Sequence, residues 1–137
     1  MDAAIKQGGV RVNIKATRGR RAHADGVDAE GLACAALLAD GWAVLGRRLR
    51  TAAGEIDIVA DQAGLLAFVE VKRRATLADA AASLGPRQRR RLLLAAEIVL
   101  GEHPGWGATG VRFDVMVVDT AGQVRRIIDA FRVEQPD

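Results

Sequence analysis

At 137 residues the chain is long enough for one domain with a proper core and too short for two. Half its residues are hydrophobic, which excludes a disordered chain, and a single cysteine, Cys34, excludes a disulfide framework or a thiolate zinc site. Twenty Lys and Arg against 17 Asp and Glu leave a net charge of +3, and the cations fall in four clusters: Arg18-Gly19-Arg20-Arg21, Arg47-Arg48-Leu49-Arg50, Lys72-Arg73-Arg74 and Arg87-Gln88-Arg89-Arg90-Arg91. Each is either a solvated face or a footprint for a polyphosphate, nucleic acid first.

Residues 1–25 are polar, basic and without sustained period, and read as a flexible basic arm preceding a single domain over 26–137. They lack the apolar stretch of a signal peptide, and no run approaches the roughly 20 apolar residues of a membrane span. A cytoplasmic protein without a membrane partner is the expectation. Residues 27–40 are Ala-rich and predict a helix, with Gly41 where a C′ residue belongs. Cys34 stands among Ala33, Ala35, Ala36 and Leu37 and reads as a small buried hydrophobe.

Residues 42–51 predict a first strand. Residues 55–72 predict a hairpin with its tip at 61–64, and the second arm, 65–71, is nearly unbroken apolar sequence, as expected of a strand buried on both faces. A short helix over 76–84 and a long one over 86–100 follow, the latter opened by Pro86 and closed by Gly101. Residues 111–118 predict a fourth strand, and 123–133 either a final strand or a short helix. This order predicts a mixed sheet with helices packed against it. His23 and His103 have no ligand-like spacing and read as surface residues.

Into the apolar hairpin the chain places Asp57, Glu70 and Lys72. Glu70 and Lys72, two apart on a strand, share a face, and a short turn brings Asp57 beside Glu70. Two carboxylates that close repel, and one must hold a proton unless a cation intervenes. Mg²⁺ takes one or two protein carboxylates and keeps positions for water and phosphate oxygens, while an adjacent ammonium can orient an attacking water. Alone, Glu-x-Lys is as compatible with a salt-bridged strand edge; Asp57 on the neighbouring strand is what favours a site.

Glu30 aligns with Ala33, Cys34, Leu37 and Leu38 on the first helix. It is either a further acid entering the site or a first-turn acid favoured by the helix dipole. Gln88 and Arg89 precede Leu92 and Leu93 by one turn and are expected to face the sheet. Arg112 and Asp114 are expected to pair near it.

As a set in this order, the motifs Gly26-x-x-Ala29-Glu30-x-x-Ala33, Gly54-Glu55-Ile56-Asp57-Ile58-Val59-Ala60, Phe68-Val69-Glu70-Val71-Lys72, the basic stretch 87–92 and Arg112-Phe113-Asp114-Val115 resemble the YraN family of small bacterial proteins. That family is related in fold to archaeal Holliday-junction resolvases and the PD-(D/E)XK nucleases. The resemblance covers residues 26–131. It implies a three-layer α/β/α, restriction-endonuclease-like core with a central mixed sheet, and an endonuclease using Mg²⁺ or Mn²⁺ on branched or structured DNA. Asp57 and Glu70 would be metal ligands, with the Val71 carbonyl and Glu30 as further donors. Lys72 would be catalytic, Gln88 accessory, and Arg48, Arg50, Arg73, Arg74, Arg87, Arg89 and Arg90 would contact nucleic acid. A homodimer is a further implication. The alternative is an inactive nucleic-acid-binding or adaptor module of the same fold.

Overall fold

The computed structural model describes residues 28–132 in full and the backbone of Ala3–Gln7 and Val10–Ala16; the rest of 1–27, and 133–137, lie outside the described residues. Within the stretch expected to be an arm, Ala3–Gln7 (β1) and Val10–Ala16 (β2) pair as an antiparallel hairpin. The basic run at 18–21 and His23 fall outside the described residues.

Helix α1 spans Ala29–Ala39. The Asp28 carboxylate caps it by accepting the Glu30 N–H at 3.1 Å, which satisfies one of the donors a helix start leaves open. Gly41, at φ +86°, turns the chain out of the helix as expected of a C′ residue. Strands β3 (Ala43–Thr51), β4 (Gly54–Gln62) and β5 (Leu65–Arg73) form an antiparallel meander. The β4–β5 turn is tighter than expected. Ala63 and Gly64 alone carry it at φ +51° and +85°, the backbone of a two-residue hairpin whose twist matches the strands.

Helix α2 (Leu77–Ala82) is capped by the Thr76 hydroxyl, which accepts the Asp79 N–H at 3.0 Å. Helix α3 (Pro86–Glu102) opens at Pro86 as expected but runs past Gly101, so that glycine lies in the last turn rather than beyond it. Strand β6 (Gly110–Val118) follows, and Val124–Phe131 is a strand, β7, which resolves the open choice over 123–133.

Among the described residues the sheet has seven strands in the order β1-β2-β7-β6-β5-β4-β3. Of these pairs only β5 and β6 run parallel, with α2 and α3 forming the crossover between them. Helix α1 packs on one face through Ala33, Ala36 and Leu37 against Ile58, Ala60, Ala67, Val69 and Met116. On the other, α3 covers Ile56, Val59, Leu66 and Phe68 through Ala95, Ala96 and Val99, while α2 joins Val115, Val117 and Ile127. The fold is therefore α/β in three layers around a mixed sheet. Leu66 to Glu70 are buried without interruption, because a strand covered on both faces has no polar side. Leu38, grouped by spacing with the apolar side of α1, is instead 59% exposed. No helix among the described residues is long and apolar enough to cross a membrane.

Candidate active site

Side chains alternate faces along β5: Ala67 and Val69 join the α1-facing cluster, Leu66 and Phe68 the α3-facing one. Glu70 and Lys72 continue the second series and point toward α3. Strand β4 does not keep step. Ile56 packs with α3 and Ile58 with α1, although residues two apart on a regular strand share a face. The strand changes phase across Asp57. On β3 the residue between the Arg47–Ile58 and Leu49–Ile56 pairs is Arg48, and its φ of +50° is uncommon for a residue with a side chain. Both strands are thus irregular at the same level of the sheet.

The irregularity frees Asp57 from either face. The regular β4–β5 pairing ends at Ile58–Val69, and one step on the Asp57 Oδ2 accepts the Val71 N–H at 2.8 Å in place of a backbone carbonyl. This fixes the Asp57 carboxyl close enough to Glu70 to feel its negative charge. Lys72 Nζ lies 3.1 Å from Glu70 Oε1, and both side chains are largely buried. Gln88, in the first turn of α3, donates Nε2 to the same oxygen at 3.2 Å. Arg91 Nη2 donates to Gln88 Oε1 at 2.9 Å, which fixes the amide orientation.

The electrostatics follow from that crowding. Asp57 is pushed up from 3.8 to about 6, first by burial, which disfavours its charged form. The Val71 N–H opposes the rise, and the negative charges of Glu70 and Glu30 reinforce it. The Lys72 ammonium pairs with Glu70 alone, so the site carries an excess of negative charge when Asp57 ionises as well. Among the described residues no trio of His, Cys, Asp and Glu converges tightly enough to cage a metal on its own. A pair of carboxylates is nonetheless a donor set that Mg²⁺ or Mn²⁺ accepts, since such ions take one or two protein carboxylates and fill the remaining positions with water.

The sequence profile of the uncharacterised protein family UPF0102 matches residues 29–118, which span α1 through β6 and every residue of this pocket. The chain belongs to that family. It is the YraN family of the resemblance above. A UPF0102 protein of Granulibacter bethesdensis is 64% identical over 121 residues, covering 88% of this chain and 77% of the relative. UPF0102 proteins of Acidiphilium cryptum and Azorhizobium caulinodans are 48% and 46% identical, covering 89% and 85% of this chain and 94% and 89% of theirs. None of these names states an activity.

In this UPF0102 protein Glu30 meets Arg48, whose Nε lies 3.1 and 3.2 Å from its two carboxylate oxygens. Glu30 therefore reaches Asp57 through its field while its own hydrogen bonds go to the arginine. Arg47 reaches the Asp28 cap at 2.8 Å. The left-handed turn at Arg48 is what lets two consecutive arginines both serve the start of α1. Arg50 is almost fully exposed and only loosely paired, 3.6 Å from Glu55. Arg73, Arg74, Arg87 and Arg90 are exposed and Arg89 is half-buried beside α2 and the α2–α3 turn. Arg90 points away from the acidic pair and lines a separate apolar groove.

Arg112 and Asp114 pair as expected, through contacts of 2.9, 3.2 and 3.0 Å, and Asp114 also accepts the Asp129 N–H at 2.9 Å. His103 is half-buried, stacked on Trp106 with ring centroids 3.7 Å apart. Arg91, which the sequence motifs do not single out, joins the site through Gln88, and its i+3 spacing from Gln88 on one helix is the signal for it.

Proposed function

We propose that this UPF0102 protein is a metal-dependent endonuclease that hydrolyses phosphodiester bonds in branched or structured DNA. The observation that carries the reading is the pair of carboxylates, Asp57 and Glu70, held together beside a buried Lys72 with more negative charge than the pocket neutralises. Structural acids are normally matched by partners, so an unmatched pair is the pattern of a cation site. Asp57 and Glu70 would hold Mg²⁺ or Mn²⁺, with the Val71 carbonyl as a further donor. When bound, the ion would polarise the scissile phosphate and lower the pKa of a water.

The chain's own groups supply the rest. Lys72 orients the attacking water and steadies charge on the phosphoryl oxygens, its ammonium kept in place by Glu70. Gln88, itself oriented by Arg91, holds the Glu70 carboxylate in one rotamer. The first turn of α3 carries no acidic residue and no side-chain cap, so its N–H groups favour a phosphate. Arg73, Arg74 and Arg87 flank the pocket along the chain, and together with Arg50 they would neutralise the DNA backbone.

The test is nicking of labelled junctions, flaps and duplexes with Mg²⁺ or Mn²⁺. Wild type should cleave, and Asp57→Ala, Glu70→Ala and Lys72→Ala should each lose at least about 100-fold. Equal trace activity in wild type and Asp57→Ala contradicts the reading. Salt-dependent DNA binding that is unaffected by EDTA and by Glu70→Ala, with no cleavage, would make the protein a binding module instead.

A further inference from the structure

At the far end of β5 from Lys72 lies a groove of about 980 Å³ between α3 and the start of β6 and end of β7. It exists because the helical layer stops short. Helix α3 covers β4 and β3, and α2 together with Leu92 of α3 covers Val115, Val117 and Ile127, with Phe113 packed at the margin of both clusters; Val111 and Ile128 belong to neither and line the groove. Leu93 and Leu94 form the helical wall, and Leu94 is 48% and Val111 40% exposed. An apolar surface of that kind is an interaction site more often than an accident.

The charges beside it select the partner. Arg90, Leu93, Leu94 and Glu97 recur at i, i+3, i+4 and i+7 and so form one stripe along α3. Arg90 and Glu97 are equidistant from the point midway between Leu93 and Leu94. If two copies of α3 pack antiparallel about a two-fold axis through that point, each Arg90 meets the partner's Glu97 and the leucines meet at the centre. A two-fold interface must be complementary to itself, and this stripe is. Arg90 and Glu97 form no ion pair among the described residues.

We propose that the α3 wall of the groove is a self-association surface, packed antiparallel against α3 of a second copy of this chain. The inference does not depend on the nuclease reading. It removes Arg90 from the residues assigned to nucleic acid and gives it to the interface.

The experiment is sedimentation velocity on the full chain, with melting temperatures to confirm that each variant is folded. At about 100 µM, a concentration that populates even weak dimers, wild type should sediment at twice the 14.5 kDa chain mass. Leu94→Asp, at a half-exposed position that the fold does not need, should be monomeric. Arg90→Glu and Glu97→Arg should each weaken association at least about tenfold, because each sets like charges against one another twice. The double swap should recover to within about threefold of wild type. That recovery cannot arise inside one helix, where residues seven apart are separated by roughly 10 Å of rise. A monomeric wild type overturns the proposal, as does a dimer that the double swap fails to restore. Dimerisation only after removal of residues 133–137 would give the groove to the chain's own end, and that too overturns it.

Discussion

Two buried acidic groups lie on adjacent strands of the same sheet, and they are satisfied very differently. Asp114 is fully buried and meets a two-pronged Arg112 guanidinium as well as the Asp129 N–H. Arg112 in turn lies over the Trp42 ring, 5.1 Å from its centroid. One negative charge faces one positive charge, with hydrogen bonds filling the remaining lone pairs. Asp57 and Glu70 bring two negative charges to one ammonium, a backbone N–H and an amide. The first arrangement is complete in the protein alone; the second is complete only with a proton or a cation. Burial of an acid therefore does not mark a site, whereas an unmatched acid does.

The largest consequence is for stability without metal. Removing Asp114 leaves the half-buried Arg112 guanidinium without its carboxylate, so Asp114→Ala should lower unfolding free energy by about 2 kcal/mol or more. Glu70→Ala should cost far less, about 1 kcal/mol or under, since it also relieves the repulsion on Asp57. Urea melts of both variants measure the difference. Equal losses would erase the distinction between the two acidic groups.

The next effect is a pH dependence. Asp57 holds its proton to about 6 in the folded chain, against an ordinary 3.8. Folding thus favours the protonated form, and its contribution is present below about pH 4 and lost as pH rises through about 6. In metal-free protein, wild type should lose on the order of 1–2 kcal/mol relative to Asp57→Asn across that window. Parallel stability curves for the two proteins would show that Asp57 is matched after all.

A smaller effect concerns Gln88. Its amide links Arg91 to Glu70, and Gln88→Ala should cost about 0.5–1.5 kcal/mol, the range of a single hydrogen bond. Gln88→Glu should be worse than Gln88→Ala, because it sets a third acid against Glu70. A Gln88→Glu variant as stable as Gln88→Ala would place Gln88 outside the pocket's electrostatics.

Most of this arrangement was legible in the chain, for identifiable reasons. Asp28, Gly41, Thr76 and Pro86 each punctuate a helix by local chemistry, and local chemistry can be read directly. The apolar run 65–71 reported its own burial, and the spacing of Glu70 and Lys72 their shared face. Gln88 is legible because one turn of helix separates it from Leu92. What could not be read was the phase change in β4 and the left-handed backbone at Arg48. Alternation assigns every second residue to one face, and nothing in Ile56-Asp57-Ile58 says that the rule fails there. The pairing of Arg48 with Glu30 follows from that turn, as does the position of Asp57 between two layers. The bare end of β6 and β7 was equally hidden, since it depends on where α3 lies rather than on the residues it leaves uncovered.

The central claim is that Asp57 and Glu70 are left unmatched for a divalent cation. Thermal melts of wild type, Asp57→Asn and Glu70→Gln with and without millimolar Mn²⁺ test it most directly. An ion that binds only the folded chain stabilises it by mass action, about 1.4 kcal/mol at ten times its dissociation constant. Wild type should rise in melting temperature with Mn²⁺ and return to its starting value with EDTA, while the two isosteric variants should respond little. A flat response in wild type, or an equal rise in Glu70→Gln, would contradict it.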